Sequence, residues 1–274
     1  LLGGAGDDTL ISHTGTETLD GGSDTDTASY ASSDAGVTVS LADGTASGGY
    51  ADGDTLTSIE NLVGSIHDDS LAGDGNANFL SGGSGDDTLT GGAGADALDG
   101  DADTDTASYA GSSSGVTVSL ASGTGTGGDA EGDTLTEIEN LTGSANADTL
   151  TGDSAANTLV GGVGDDTLRG GSGSDTAVYA GTAATFTIGG DGATVTITDT
   201  AAASDGDEGT DTVSEIETLS FQDADIAVRQ VFSDDVGGTE AQANTYTTGN
   251  QDYSTIVGLS GGGYVTAWRS WQQV

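Results

Sequence analysis

The chain has no cysteine, no proline and no methionine, and only three basic residues, Arg169, Arg229 and Arg269, stand against 45 acids. Each absence excludes something. Without cysteine there are no disulfides and no thiolate metal sites. Without lysine or clustered arginine the chain has no means of displacing counterions from nucleic acid, and anionic membrane surfaces repel it. No run of 18 apolar residues is present, so no helix is expected to span a bilayer. Leu, Ile, Val and Phe total 48 of 274 residues, about 18%, under a net charge of −42. That composition belongs to disordered chains, because so little apolar area cannot offset chain entropy. Order is expected only if something neutralises the acids.

The 49 glycines that are present are spaced regularly. Gly3 to Ile11 reads G-G-x-G-x-D-x-U-x, where U is a large apolar residue, and Gly82 to Thr90, Gly91 to Asp99, Gly161 to Arg169 and Gly170 to Val178 fit the same nine-residue pattern. Weaker copies keep the phase, giving three nonapeptides over 3–29, five over 64–108 and four over 143–178. A longer period of 79 overlies them: Asp24 to Tyr30 recurs as Asp103 to Tyr109, and Gly36 to Leu41 recurs as Gly115 to Leu120. A diverged third copy starts at Tyr179. The unit is a nonapeptide array, an alternating strand, a glycine-rich loop and a Glu-Asn-Leu re-entry into the next array.

Each of the nine positions has a physical task. Glycines at positions 1, 2 and 4 permit a tight turn and close backbone approach. Position 6 supplies a carboxylate. Positions 7 to 9 form a short strand whose position-8 side chain faces the core, which assigns Leu10, Leu71, Leu80, Leu89, Leu98, Leu150, Leu159 and Leu168 to the interior. One nonapeptide makes half a coil, so turns on one edge lie 18 residues apart and stack at about the 4.8 Å strand spacing. Carboxylates that close repel unless a hard cation lies between them. A donor set made of oxygen alone suits Ca²⁺.

The arrays resemble the RTX (repeats-in-toxin) family of secreted calcium-binding proteins, whose nonapeptide is a known β-helix signature. The resemblance implies an all-β, right-handed parallel β-roll, calcium between stacked turns, and export by a type I route to the exterior or cell surface. Family ligands are position-6 carboxylates 18 residues apart plus carbonyls from positions 1 to 4. On this chain they fall on Asp8 with Asp26, Asp69 with Asp87, Asp87 with Asp105, and Asp148 with Asp166, then on the mixed pairs Asn78 with Asp96 and Asn157 with Asp175. The carbonyl ligands fall on glycines such as Gly3, Gly82, Gly91, Gly161 and Gly170. Counting back nine from Gly64 and Gly143 puts Glu60 and Glu139 at position 6 of the re-entry segments, facing Asn78 and Asn157. Six to eight ions are expected. Asp24 and Asp103 depart from the pattern by occupying position 4.

Catalytic patterns are weak. Gly111 to Gly115 matches G-x-S-x-G, but the copy 79 residues earlier lacks the serine and both histidines, His13 and His67, precede Ser113. No enzyme is expected. Tyr30, Tyr109 and Tyr179 end arrays and read as caps over the exposed core end, carbohydrate stacking being the lesser reading.

Five units are expected: 1–63 and 64–142, each an array plus insert; 143–181, the third array; 182–231, a diverged closing segment; and 232–274, the start of a different β-rich module with a hairpin over Ser254 to Trp268. Leu1-Leu2-Gly3 carries no leader pattern and both ends cut through repeats, so a piece of a much longer protein is expected. The role expected is a spacer or adhesin stalk that folds on extracellular calcium. The alternatives are an accessory module of an exported enzyme and a self-associating surface lattice.

Overall fold

A computed structural model describes residues 1–190, 194–200 and 208–228, together with the backbone of the strands Ser254–Gly258 and Tyr264–Trp268. Its elements are short strands and three single-turn 3₁₀ segments. Two 13-stranded sheets, mostly parallel, face each other across one core. Successive strands alternate between the sheets, so Thr88–Thr90 lies in one and Ala97–Ala102 in the other. This is a parallel β-roll.

The register follows the nine-residue pattern. Thr88 pairs with Thr106, Thr149 with Thr167, and Thr158 with Thr176, each two nonapeptides apart. Position-8 side chains point inward from both sheets: Leu71, Leu80, Leu89, Leu98, Leu150, Leu159 and Leu168 are all buried. Positions 7 and 9 point outward and hold mainly threonine and serine, with Asp20 and Asp99 the acids at position 9. β-Branched threonine suits such a half-exposed strand position.

Three inserts interrupt the coil. Each is an antiparallel hairpin built into one of the sheets: Thr38–Ser40 with Thr45–Ser47, Thr117–Ser119 with Thr124–Thr126, and Phe186–Gly190 with Val195–Asp199. Thr38–Ser40 then pairs in parallel with Ser70–Ala72, and Thr117–Ser119 with Thr149–Thr151, so each of these hairpins is continuous with the array that follows. The first hairpin lies in one sheet and the second and third in the other. Seven strands separate the first hairpin from the second, and six separate the second from the third.

The re-entry differs from the sequence expectation. Thr55 to Val63 is not one nonapeptide. Thr55–Thr57 and Asn61–Val63 are strands in opposite sheets, joined by residues 58–60 where an ordinary coil uses six residues. The tight turn places Ser58 at φ 50°, and the equivalent Glu137 and Glu215 at φ 50° and 52°. The strand before the turn belongs instead to a disguised repeat, Gly49 to Thr57, with Asp54 at position 6 and Leu56 at position 8. Gly128 to Thr136 repeats this with Asp133 and Leu135, and Asp211 and Val213 stand in the third copy.

The array-ending tyrosines do not cap an exposed end. Tyr30, Tyr109 and Tyr179 are 0%, 2% and 4% exposed, sealed between array and insert, which leaves no ring face for a sugar. Tyr179 also packs with Phe186 and Phe221 at centroid separations of 5.3 and 5.2 Å. Ser254–Gly258 and Tyr264–Trp268 pair antiparallel, as expected of a hairpin; the glycine-rich turn between them and most of 232–274 lie outside the described residues.

Candidate metal centre

The turns place the position-6 carboxylates in columns along the edges of the roll. One carboxylate oxygen of each holds the rung before it. Asp8 N–H donates to Asp26 Oδ1 at 2.8 Å, Asp69 N–H to Asp87 Oδ1 at 2.7 Å, and Asp87 N–H to Asp105 Oδ1 at 2.8 Å. Asp148 N–H reaches Asp166 Oδ1, Asn78 N–H reaches Asp96 Oδ1, and Asn157 N–H reaches Asp175 Oδ1, each at 2.8 Å. All six residue pairs expected from the 18-residue spacing are therefore neighbours.

The second oxygen decides what each rung has left to offer. Oδ2 of Asp8, Asp26, Asp87, Asp96, Asp105, Asp166 and Asp175 is buried and has no hydrogen-bond partner. A buried carboxylate oxygen without a donor is costly, because its lost hydration is not replaced. Each lies beside a position-1 glycine. An alanine Cβ at Gly82, Gly91, Gly161 or Gly170 would strike Oδ2 of Asp87, Asp96, Asp166 or Asp175, and one at Gly3 would come within 2.9 Å of Asp8 Oδ2. Carbonyl oxygens of the next turn converge on the same spaces: Gly21 O at Gly3, Gly100 O at Gly82, Ser58 O at Gly21, Glu137 O at Gly100 and Glu215 O at Gly170. Orphaned oxygens, a cradle without side chain and converging carbonyls form a donor set that fits Ca²⁺.

Burial drives the pKa values. Asp87, Asp105 and Asp166 are pushed up to about 7 by loss of hydration first, then by neighbouring acids in the same column. Asp96 rises to about 6 for the same reason, and Asp175 is also raised. Without a cation Asp87, Asp105 and Asp166 titrate close to neutrality.

Other expected ligands are already engaged. Asp69 and Asp148 open their columns, and protein donors take both oxygens: Val37 N–H, Ser65 N–H and Ser65 Oγ for Asp69, and Val116 N–H, Ser144 N–H and Ser144 Oγ for Asp148. Asn78 Oδ1 accepts from Asp74 N–H, while its Nδ2 donates to Glu60 O at 2.7 Å. Asn157 does the same with Asp153 N–H and Glu139 O. The Glu60 and Glu139 carboxylates turn away from those asparagines and accept from Asp26 N–H and Asp105 N–H, each at 2.8 Å. At position 4, Asp24 and Asp103 adopt φ 82° and 87° and accept from Gly6 N–H and Gly85 N–H in the preceding turns.

Three column members escaped the sequence reading. Asp96 N–H donates to Asp133 Oδ1 at 2.8 Å, Asp166 N–H to Asp211 Oδ1 at 2.9 Å, and Glu17 N–H to Asp54 Oδ1 at 2.7 Å. The signal was the Gly-Asp-Thr-Leu at 53–56 and 132–135, hidden because the second glycine of the repeat is missing.

A profile of the RTX calcium-binding nonapeptide repeat matches the chain in four copies, over residues 1–28, 72–107 and 142–177. These arrays are RTX calcium-binding nonapeptide repeats. The matched segments coincide with the turns that hold the orphaned oxygens, apart from the hairpins. No curated protein matches the chain. An RTX array is a calcium-binding β-roll, a structural unit and not a catalytic one. Among the described residues no helix is long and apolar enough to cross a membrane.

Outside the RTX columns, Asp99, Asp101 and Glu137 bring three carboxylates within 4.8 Å of one another at the second re-entry.

Proposed function

We propose that this chain is a calcium-loaded spacer or adhesin stalk of a secreted or cell-surface protein, folded by extracellular calcium after type I export. The observation that supports the reading is the set of seven buried, partnerless Oδ2 atoms, each over a glycine. They mark six or seven ions: Asp8, Asp26, Asp87, Asp96, Asp105, Asp166 and Asp175 supply the carboxylate oxygens, and backbone carbonyls supply the rest. The hydrogen bonds at Asp69, Asn78, Asp148 and Asn157 leave those side chains as struts, and Glu60 and Glu139 act as backbone anchors.

The physical logic is a folding switch. Without calcium, mutual repulsion and a thin apolar core hold the chain expanded, a form suited to passage through a secretion channel. Metal binding to a site that exists only in the folded chain is folding free energy, and sites of the extracellular class work at about 10⁻⁴–10⁻³ M. With neither proline nor cysteine in the sequence, no slow isomerisation or disulfide step delays closure. Circular dichroism tests it: β-signal is expected in millimolar calcium and lost on adding EGTA at low salt. A spectrum indifferent to EGTA would overturn the switch.

A further inference from the structure

Asp54, Asp133 and Asp211 occupy position 6 in the columns, are 2%, 1% and 2% exposed, and use Oδ1 as every other rung does. Their other oxygen differs. Tyr109 donates its hydroxyl to Asp133 Oδ2 at 3.0 Å. The Tyr30 and Tyr179 hydroxyls are buried beside Asp54 and Asp211 but make no aligned hydrogen bond, and Asp54 Oδ2 accepts from Ser12 Oγ at 2.8 Å instead. Position-1 glycines precede Asp54 and Asp133 at Gly49 and Gly128, but at these two the space is taken by other atoms: a Cβ on Gly128 would meet Ser112 Oγ at 2.5 Å and Ser114 O at 2.7 Å, and one on Gly49 would meet Ser33 Oγ and, at 2.5 Å, Ala35 O. The orphaned-oxygen cradle of the arrays is absent there.

The location is systematic. One column runs Asp8, Asp26, Glu60, Asn78, Asp96 and ends at Asp133 with Tyr109. A second runs Asp148, Asp166 and ends at Asp211 with Tyr179. A short third runs Glu17 to Asp54 with Tyr30. Each of these three endings coincides with the entry of a hairpin, where no further turn stacks; the fourth column, Asp69, Asp87, Asp105, Glu139, Asn157 and Asp175, ends at Glu217 without a tyrosine.

We infer that Tyr109 is a positioning residue that ends its calcium column, placing a phenolic hydrogen on the last carboxylate, Asp133, where preceding rungs take an ion, and that Tyr30 and Tyr179 mark the corresponding ion-free rungs at Asp54 and Asp211. The inference rests on the proposed calcium reading and sharpens it by naming the rungs that stay ion-free. A phenol donor neutralises no charge but satisfies the oxygen, so the junction at Asp133 is held by the protein's own atoms.

The ion count of the full chain, read by native mass spectrometry after equilibration in millimolar calcium and removal of excess, tests the inference. Asp96→Asn is expected to lower the count by one, because it removes an orphaned oxygen. Asp133→Asn is expected to leave the count unchanged, and Tyr109→Phe to leave it unchanged while lowering the melting temperature in calcium, because Asp133 Oδ2 loses its donor where no shell can form around an ion. A loss of one ion in Asp133→Asn, or a melting temperature unchanged by Tyr109→Phe, overturns the inference while the calcium columns stand. A wild-type chain holding no calcium overturns both, and the two failures are thereby distinguished. Asp133→Asn retains an acceptor for Asp96 N–H, so the test does not depend on Tyr109→Phe remaining folded.

Discussion

Arg169 grips Glu215 with two hydrogen bonds, Nε to Oε2 at 2.8 Å and Nη2 to Oε1 at 3.1 Å. Arg169 lies opposite Ser214 in the sheet, one residue before Glu215. At the equivalent place in the second re-entry Asp99 lies opposite Thr136, one residue before Glu137, and in the first Asp20 lies opposite Thr57, before Ser58. The same locus thus holds an ion pair once, a carboxylate cluster once and a single acid once.

Replacing Asp99 by arginine should therefore rebuild the Arg169–Glu215 pair against Glu137 and relieve the repulsion with Asp101. Asp99→Arg is expected to raise the melting temperature in calcium above that of Asp20→Arg, which adds the same charge opposite Ser58. Equal melting temperatures for the two variants would show that the gain is only generic charge reduction.

The glycine cradle gives a second prediction. In Gly161→Ala the new methyl collides with Asp166 Oδ2, so calcium is expected to be held more weakly and the midpoint of calcium-induced folding to move to higher concentration. Gly75→Ala is the control, since nothing lies within 4 Å of its Cβ position and it removes only backbone freedom. A glycine-to-alanine change at such a tolerant site is neutral or slightly stabilising, by roughly 0.4–1 kcal/mol. Coincident calcium midpoints for the two would dissociate the cradle from binding.

Protons should compete with calcium. Asp87, Asp105 and Asp166 are raised to about 7 in the ion-free fold and Asp96 to about 6, against about 3.9 in an unfolded chain. Between about pH 4 and 7 the folded form then binds more protons than the unfolded form, so its stability falls as pH rises through that window. The calcium-free chain is expected to hold β-structure near pH 4 and lose it by pH 7, and calcium affinity is expected to rise across the same range. Circular dichroism of calcium-free protein from pH 4 to 8 measures this; a chain equally expanded throughout would contradict it.

The 18-residue register and the inward leucines were legible because both follow from local chemistry: Leu89 is the one apolar residue in its nine, and the strand geometry does the rest. The six pairings were legible for the same reason. What hid were features set by the inserts. Asp54 and Asp133 look like loop acids until the hairpin ahead of them is folded, and only then do they fall into the columns. The engagement of Asp69 by Val37 and Ser65 likewise depends on where the insert returns, across 32 residues. Glu60 was rightly placed at a rung but was counted through a nonapeptide that is really a three-residue turn.

The strand count between hairpins fixes the direction each one faces. Tyr30 and Tyr109 are 79 residues apart and span an odd number of half-coils, whereas Tyr109 and Tyr179 are 70 apart, one nonapeptide fewer, and span an even number. The first hairpin therefore looks out of one side and the other two out of the opposite side. The nonapeptide works as a half-turn of a screw. Gain or loss of nine residues turns everything downstream to the other side, while eighteen lengthens the rod and leaves its facing unchanged.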